Sequence, residues 1–441
     1  MIDGDRTVGG GPARPGAIAD GGDPATPNLL LIVVDCLRQD VLRADHTETP
    51  FLDDLRGRGV ECTECYATAT TTTPAVASLL TGTYSERNGL QSLRRGHLAD
   101  DVETLGSLLG DRGYHREAQM TGPLVTETGL DRGFDRYRCR EEDQSLFGDW
   151  RERALARLDE LPEPFAAVVH LWELHEDVTV PPSFDEPRYG ATPYGRALSA
   201  LDRELRTLVE QAPPNTVVAL VGDHGESVTR RHSRVRLLLK SLRDAVRYYG
   251  GVDTRPLVRR LNRRWANRGA DVADHYIENG HGENVFDFTT NVPFVLAGAG
   301  VDAATVDAQV RQVDVLPTLL DALGVGPEAT DAVFDGEPIR PANGVDDRPA
   351  YMRACGASLH RERNWARAVR DGEADAKLVT FPDRDWDDAL YDLAADPAEL
   401  STVEDERLAA RLRRRLPDAD LDTTDADRLD IDDRLEDLGY R

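Results

Sequence analysis

Two short apolar runs, each ending abruptly on a carboxylate, constrain the fold of this chain more than any other feature. They are Asn28-Leu-Leu-Leu-Ile-Val-Val-Asp35 and Ala219-Leu-Val-Gly-Asp223-His224-Gly225-Glu226. A strand buried on both faces of a parallel sheet reads as a continuous apolar run rather than an alternation. Ligands collect at the carboxyl ends of such strands. Two carboxylates and an imidazole delivered to one sheet edge would make a donor set for a divalent cation. For Asp223-His224 alone, capping of a following helix is an equal reading, because Asp caps well. The companion run ending at Asp35 turns the balance toward metal.

Other segments fit the same architecture. Pro164–His170, Asn215–Val221 and Val292–Ala297 read as strands. Residues 52–58, 101–113, Tyr194–Glu210 and Val313–Leu323 read as helices, the third with Leu198, Leu201, Leu205 and Leu208 on one face. Strands alternating with helices imply an α/β fold with a mostly parallel sheet flanked by helices. Near residue 345 the texture changes. Trp365–Arg370, a turn at Gly372 and Lys377–Phe381 read as a hairpin within a small C-terminal α+β subdomain. The expected organisation is a flexible N-terminal tail (1–27), a core (28–340) with an insertion (227–280), a C-terminal subdomain (341–403) and a charged tail (404–441).

Charge narrows the partners. Acidic residues outnumber basic ones 80 to 53, a net charge of −27, and only Lys240 and Lys377 are lysines. A strongly acidic, lysine-poor surface suits a salty cell interior that screens its repulsion, as in halophilic, archaeal-like proteins. It argues against nucleic acid as a partner. Residues 1–27 lack the apolar centre of a secretory signal, and no transmembrane segment is long enough to be read, so a cytoplasmic location is expected. The five cysteines (36, 62, 65, 139 and 355) have no framework spacing. Cys62-Thr-Glu-Cys65 lacks the second pair a zinc knuckle needs, so they read as reduced, buried thiols. Against the acidic background, residues 230–268 hold 13 basic residues and two acids, Asp244 and Asp253. Val235, Leu238, Leu239, Leu242 and Val246 give this stretch helical spacing. Either it packs on the core and pairs with acidic neighbours, or it forms a basic lid over an anionic substrate or a contact with a membrane surface.

Several motifs follow in a telling order. After Asp35 with Leu37-Arg38 come Thr73-Pro-Ala-Val-Ala-Ser-Leu-Leu-Thr-Gly-Thr-Tyr84, Gly129-Leu-Asp-Arg-Gly-Phe134 and Trp172-Glu-Leu-His175. Then come Asp223-His-Gly-Glu226, Asn291-Val-Pro-Phe294, Asp314-Val-Leu-Pro-Thr318 and Leu390-Tyr-Asp-Leu-Ala-Ala-Asp-Pro-Ala-Glu399. In this order, over roughly residues 28–403, the chain resembles the sulfatase family of the alkaline phosphatase superfamily. The resemblance implies an alkaline-phosphatase-like fold with an active site beside one divalent metal ion, calcium by family. Asp35, Asp223 and His224 fall on the metal positions. His175 falls where the family presents a histidine to the leaving group, with Glu173 in place of the usual Asp. His281, in Gly280-His-Gly282, lies near where relatives place a Lys or His on the transferring group.

Two departures bear on the chemistry. Cys36 stands where sulfatases commonly carry a second Asp. A thiol is a poor partner for a hard cation, so Cys36 reads as a packing residue and the site shifts from calcium toward manganese or zinc. The pairing Asp-His, where many sulfatases have Asp-Asn, pushes the same way. The second departure is the nucleophile. Aligned on Pro74, Thr72 occupies the position of the Cys or Ser that becomes formylglycine, and Val76 that of the signature arginine. A formylglycine hydrate expels sulfate by breaking its own C–O bond, which threonine cannot do, whereas the phosphatase and phosphodiesterase branches use Thr or Ser directly. Thr72 is therefore the candidate nucleophile, beside the alternative that the run Thr70–Thr73 merely caps the next helix.

The expected activity is metal-dependent hydrolysis of a sulfate ester, or of a phosphate diester or phosphonate ester. The expected partner is an anionic ester substrate such as a sulfated or phosphorylated glycan or lipid. Two alternatives stay open: a transferase moving a phosphoryl-bearing head group onto a glycan or lipid, and a binding protein of the same fold that has lost catalysis.

Overall fold

The computed structural model describes residues 26–43, 47–141, 144–175, 178–228, 234–265, 274–275, 280–356, 366–417, 429 and 431. The strands of the main sheet are β1 (Asn28–Val34), β2 (Val60–Tyr66), β3 (His115–Met120), β4 (Arg136–Cys139), β5 (Phe165–Leu171), β6 (Thr216–Gly222), β7 (Asn291–Gly298), β8 (Ala304–Val306) and β9 (Val310–Arg311). They lie in the order β4-β3-β5-β1-β6-β7-β2-β8, with β9 also on β2. From β4 to β6 every pairing is parallel. Only β7 runs antiparallel to its neighbours β6 and β2. This is the mostly parallel α/β sheet that the apolar runs imply.

The continuous apolar run of β1 has a direct cause. Successive side chains on a strand point to opposite faces. Leu29, Leu31 and Val33 enter one core with Leu79 and Leu80 of the Thr72–Thr81 helix and with Leu316 and Leu320. Leu30, Ile32 and Val34 enter the other with Leu198, Leu201 and Leu205 of the Pro193–Gln211 helix and with Leu52 and Leu55. Covered on both faces, the strand has no position at which a polar side chain would be solvated. The Pro193–Gln211 helix starts where Thr192 accepts from the Gly195 N–H, with Pro193 at its first position.

A second, four-stranded antiparallel sheet lies toward the C-terminus: β10 (Ala350–Ala354), β11 (Ala366–Asp371), β12 (Ala376–Thr380) and β13 (Ala389–Asp392). The hairpin read from residues 365–381 is the β11–β12 pair, although Trp365 itself lies outside the described residues. The tail expected over 404–441 is described as the Glu406–Arg413 helix and little beyond it.

The helix expected over 101–113 is shorter. Only Leu105–Gly110 is helical, because Thr104 closes its N-terminus through a reciprocal capping box with Ser107. The Val313–Leu323 segment opens as a 3-10 turn and is α-helical from Val315 to Ala322. Cys62 and Cys65 lie on β2 and pack into the core. No described cysteine forms a disulfide, and all but Cys139 are buried.

Part of the segment read as an insertion (227–280) lies outside the described residues. The rest forms helices Arg234–Asp244 and Arg255–Trp265 around a π-turn at Ala245–Tyr249. Its inner basic side chains are engaged. Arg243 bridges Asp244 and Glu283, while Arg255 pairs with Asp253 and lies over Phe381 and Trp386. Burial alone would raise the Glu283 carboxyl, but Arg243, Lys240 and Arg247 bring it down to about 2. Val235, Leu238, Leu242 and Leu257 stay exposed on the outer side.

Candidate active site

Strand register assembles the site. Val34 of β1 lies opposite both Leu171 of β5 and Gly222 of β6. Asp35 and Asp223 are therefore neighbours at the same sheet edge, one residue beyond matched strand ends. The Asp35 N–H donates to the Leu171 carbonyl at 2.7 Å. Both carboxylates and His224 are buried, as is Thr72. From His224 Nε2 it is 3.6 Å to Asp35 Oδ1, 3.5 Å to Asp223 Oδ2 and 3.4 Å to Thr72 Oγ1.

The donor set passes a test of fit to a divalent cation. Asp223 Oδ1 accepts the backbone N–H groups of Cys36 (3.1 Å) and His224 (2.6 Å), which fixes the carboxylate. Asp223 Oδ2 and Asp35 Oδ1 are buried without a hydrogen-bond partner among the described residues. Orphaned buried carboxylate oxygens cost several kcal/mol unless a cation or water meets them, and these two face the same imidazole nitrogen. The other ring nitrogen, Nδ1, is 3.1 Å from the Gly225 carbonyl. Donating there leaves Nε2 as the acceptor, the orientation metal-bound histidines need. Although burial pushes the Asp223 carboxyl up, His224 and His170 hold it below the ordinary aspartate range.

Gly225 explains the spacing of Asp-His-Gly-Glu. A Cβ there would lie 2.2 Å from the Phe288 carbonyl oxygen, so only glycine lets the loop press against the 286–290 turn. Gly282, beside His281, has φ +85° and approaches Thr71 and Gly356.

The threonine run resolves into distinct roles. The Thr72–Thr81 helix has Thr71 as its N-cap, and that side chain makes no capping hydrogen bond. Of the four threonines, Thr72 is the one whose hydroxyl is placed against His224. Val76 is buried in the apolar core.

His175 and His281 join this cluster. The His281 ring centroid lies 4.4 Å from that of His224 and 5.3 Å from that of His175. Ligand atoms of Asp35, Cys36 and His175 lie within 4.8 Å of one another. All six candidate residues thus converge. Glu173 faces elsewhere: it takes Arg140 at 2.9 Å and the Leu146 N–H at 2.7 Å, anchoring the loop behind the site.

Cys36 packs in the core beside Tyr194, as read, and its thiol also reaches the site. Its φ is +62°, rare for a residue with a side chain. Tyr194 holds the turn by donating to the Cys36 carbonyl (2.6 Å) and accepting from the Arg38 N–H (3.2 Å). The thiol consequently points into the site, 3.3 Å from Glu226 Oε2 and 3.8 Å from His281 Nδ1. Burial, then Asp35, Glu226 and Asp223, keep the thiol well above its usual range.

Two supporting residues escape sequence reasoning. His170, on β5, lies 3.8 Å from Asp223 Oδ2 with its Nδ1 2.5 Å from Thr121 Oγ1. The available signal is a histidine inside an otherwise apolar strand. Gln312 donates to the carbonyls of Gly222 (3.2 Å) and Asp223 (2.8 Å) and accepts from the Thr68 N–H (3.1 Å), tying the segment before Thr72 to the end of β6. Nothing in its sequence neighbourhood marks it.

Comparison with known proteins follows the same outline. The chain is similar to the phosphonate monoester hydrolase of Agrobacterium radiobacter, with a TM-score of 0.64 at 19% identity over 88% of this chain and 94% of that one. It is also similar to a structure solved with its substrate D-glucosamine-2-N,6-O-disulfate, with a TM-score of 0.62 at 15% identity over 89% of this chain and 96% of that one. These likenesses show the alkaline-phosphatase-like fold. In sequence it is 32% identical over 102 residues to the N-acetylgalactosamine-6-O-sulfatase of Bacteroides thetaiotaomicron, covering 22% of this chain and 20% of that protein. It is 35% identical over 109 residues to mouse steryl-sulfatase, covering 21% and 17%. These matches thus span about a fifth of each relative's length. Residues 27–325 match the sequence model of the sulfatase family. Because that match runs through most of the core and includes every residue from Asp35 to His281 that meets at the sheet edge, the chain belongs to the sulfatase family.

Proposed function

We propose that this protein is a metal-dependent hydrolase of anionic esters, acting on a sulfate ester or on a phosphate diester or phosphonate ester of a glycan or lipid. The observation that carries the reading is the convergence of Asp35, Asp223 and the Thr72 hydroxyl within 3.4–3.6 Å of His224 Nε2. A divalent cation held by Asp35, Asp223 and His224 would polarise an ester oxygen and offset charge that develops on it. Thr72 supplies the attacking oxygen, fixed in place by the rigid N-terminus of its helix. His175 and His281 line the approach; His175 holds the proton for the departing alkoxide. Relatives named for amino-sugar 6-O-sulfate, steryl sulfate and phosphonate monoester share an anionic head on a larger organic group. The acidic, lysine-poor surface supports work in a salty cytoplasm. No helix of the described residues is long and apolar enough to cross a membrane.

Aryl sulfate, aryl phosphate diester and aryl phosphonate monoester, assayed side by side in high salt with calcium, manganese or zinc, test the reading. Because Thr72 cannot release sulfate by C–O cleavage, turnover of a phosphorus ester should exceed that of the sulfate at least tenfold. Manganese or zinc should support more of it than calcium. No metal-stimulated turnover of any of the three would sink the proposal. His175→Ala should cost on the order of 10²–10⁴-fold on an alkyl ester and far less on a nitrophenyl ester, whose leaving group needs no proton. Equal losses would assign His175 a positioning role only.

A second reading, transfer of a head group onto a glycan or lipid, is favoured by one feature. The outer row Val235, Leu238 and Leu242, in a basic segment, suits an amphipathic acceptor.

A further inference from the structure

Cys36 is the common member of two ligand groups that do not need Asp223. In one, it meets His224 and His281; in the other, Asp35 and His175. His224 Nδ1 lies 4.0 Å from the thiol but is turned to the Gly225 carbonyl, and its Nε2 faces the first cation position. Glu226 is better placed to complete the group. Cys36 Sγ to Glu226 Oε2 is 3.3 Å, Cys36 Sγ to His281 Nδ1 is 3.8 Å, and His281 Nδ1 to Glu226 Oε2 is 3.5 Å.

We infer that Cys36, His281 and Glu226 form a second cation position, softer than the first and adjoining it at Asp35, whose carboxylate lies within 4.8 Å of the Cys36 thiol. Metal–ligand distances of about 2.3 Å to sulfur and about 2.0–2.2 Å to nitrogen or oxygen set tetrahedral edges of about 3.3–3.6 Å. The three observed edges bracket that range, so a tetrahedral ion fits with side-chain shifts of a few tenths of an ångström. A thiolate, an imidazole and a carboxylate select a late divalent ion such as zinc or cobalt over calcium or magnesium. The position also answers a deficit of charge. Val76 withholds the cation that the family's signature arginine would supply beside the nucleophile, and the insertion's Arg243 and Arg255 are engaged with Glu283 and Asp253. A cation on Cys36 would add one positive centre to the His224–His281 cluster. The inference rests on the hydrolase reading for this use, and not for the binding itself.

The test is cobalt(II) titration of the full chain after chelator treatment, read by bound-metal analysis and by the sulfur-to-cobalt charge-transfer absorbance. Wild type should bind two equivalents and show the sulfur band. Cys36→Ser should bind one equivalent and lose the band. Asp223→Asn should also bind one equivalent but keep the band. Should Cys36→Ser fail to fold, His281→Ala takes its place and should lose one equivalent. One equivalent in wild type without a sulfur band, or two in Cys36→Ser, overturns the inference. If cobalt binds as described but no ester is turned over, the hydrolase reading fails and the second position stands. Turnover with a single sulfur-free ion means the reverse: the hydrolase reading stands and the second position fails.

Discussion

Replacing Asp223 by alanine should empty the first cation position and lower turnover by on the order of 10³-fold or more, several kcal/mol of charge stabilisation. Two functions are lost together. Oδ2 is the buried oxygen that faces His224 and has no hydrogen-bond partner among the described residues, while Oδ1 accepts the N–H groups of Cys36 and His224. Orphaning those amides costs roughly 1–3 kcal/mol each in stability, so alanine alone conflates folding with chemistry. Asp223→Asn separates them, because the amide oxygen can still accept both N–H groups while the charge is gone. The asparagine variant should melt within a few degrees of wild type, yet retain none of the affinity for manganese or zinc at the first position and little turnover. If it binds metal and turns over normally, Asp223 is a structural acceptor and the cation, if any, lies elsewhere.

The legibility of this site follows from which interactions leave a local trace. Residues 29–35 and 217–223 are readable because a strand covered on both faces is largely apolar, and each of these runs ends directly on a carboxylate. Gly225 is readable as part of a motif, and its reason, contact with the Phe288 carbonyl, appears only in three dimensions. The antiparallel direction of β7 leaves no trace, since apolar runs are the same in either sense. Residues 60–66 stand out for their cysteines and not as β2, because polar Glu61 and Glu64 interrupt the apolar pattern of a strand near the sheet's edge. Cys36 packs as its sequence suggests, but its contact with the site is hidden for a different reason. Its inward thiol depends on a left-handed backbone that Tyr194 enforces from 158 residues away, and no local propensity announces that. Gln312 belongs to the same class. Long-range ties between loops determine the site's geometry and are invisible to periodicity.

Thr72→Ala should leave metal binding intact and lower turnover by on the order of 10⁴-fold. The structure makes this a clean substitution. Thr72 is not the N-cap of its helix, and the cap that exists uses no side-chain oxygen, so stability should change by no more than about 1 kcal/mol. Among the described residues, the hydroxyl's hydrogen-bonding neighbour is His224 Nε2, the nitrogen that faces Asp35 and Asp223. Thr72→Ser keeps an oxygen at the same place and should restore most of the activity, at some loss because serine's rotamer is less restricted than that of the β-branched threonine. Covalent attack has its own signature: with a phosphonate or phosphate ester, acid quenching of the working enzyme should trap the phosphorus group on Thr72, detectable by peptide mass. Thr72→Ala with normal turnover would transfer the attacking role to water, and the threonine would then serve only to hold the imidazole of His224 at its angle.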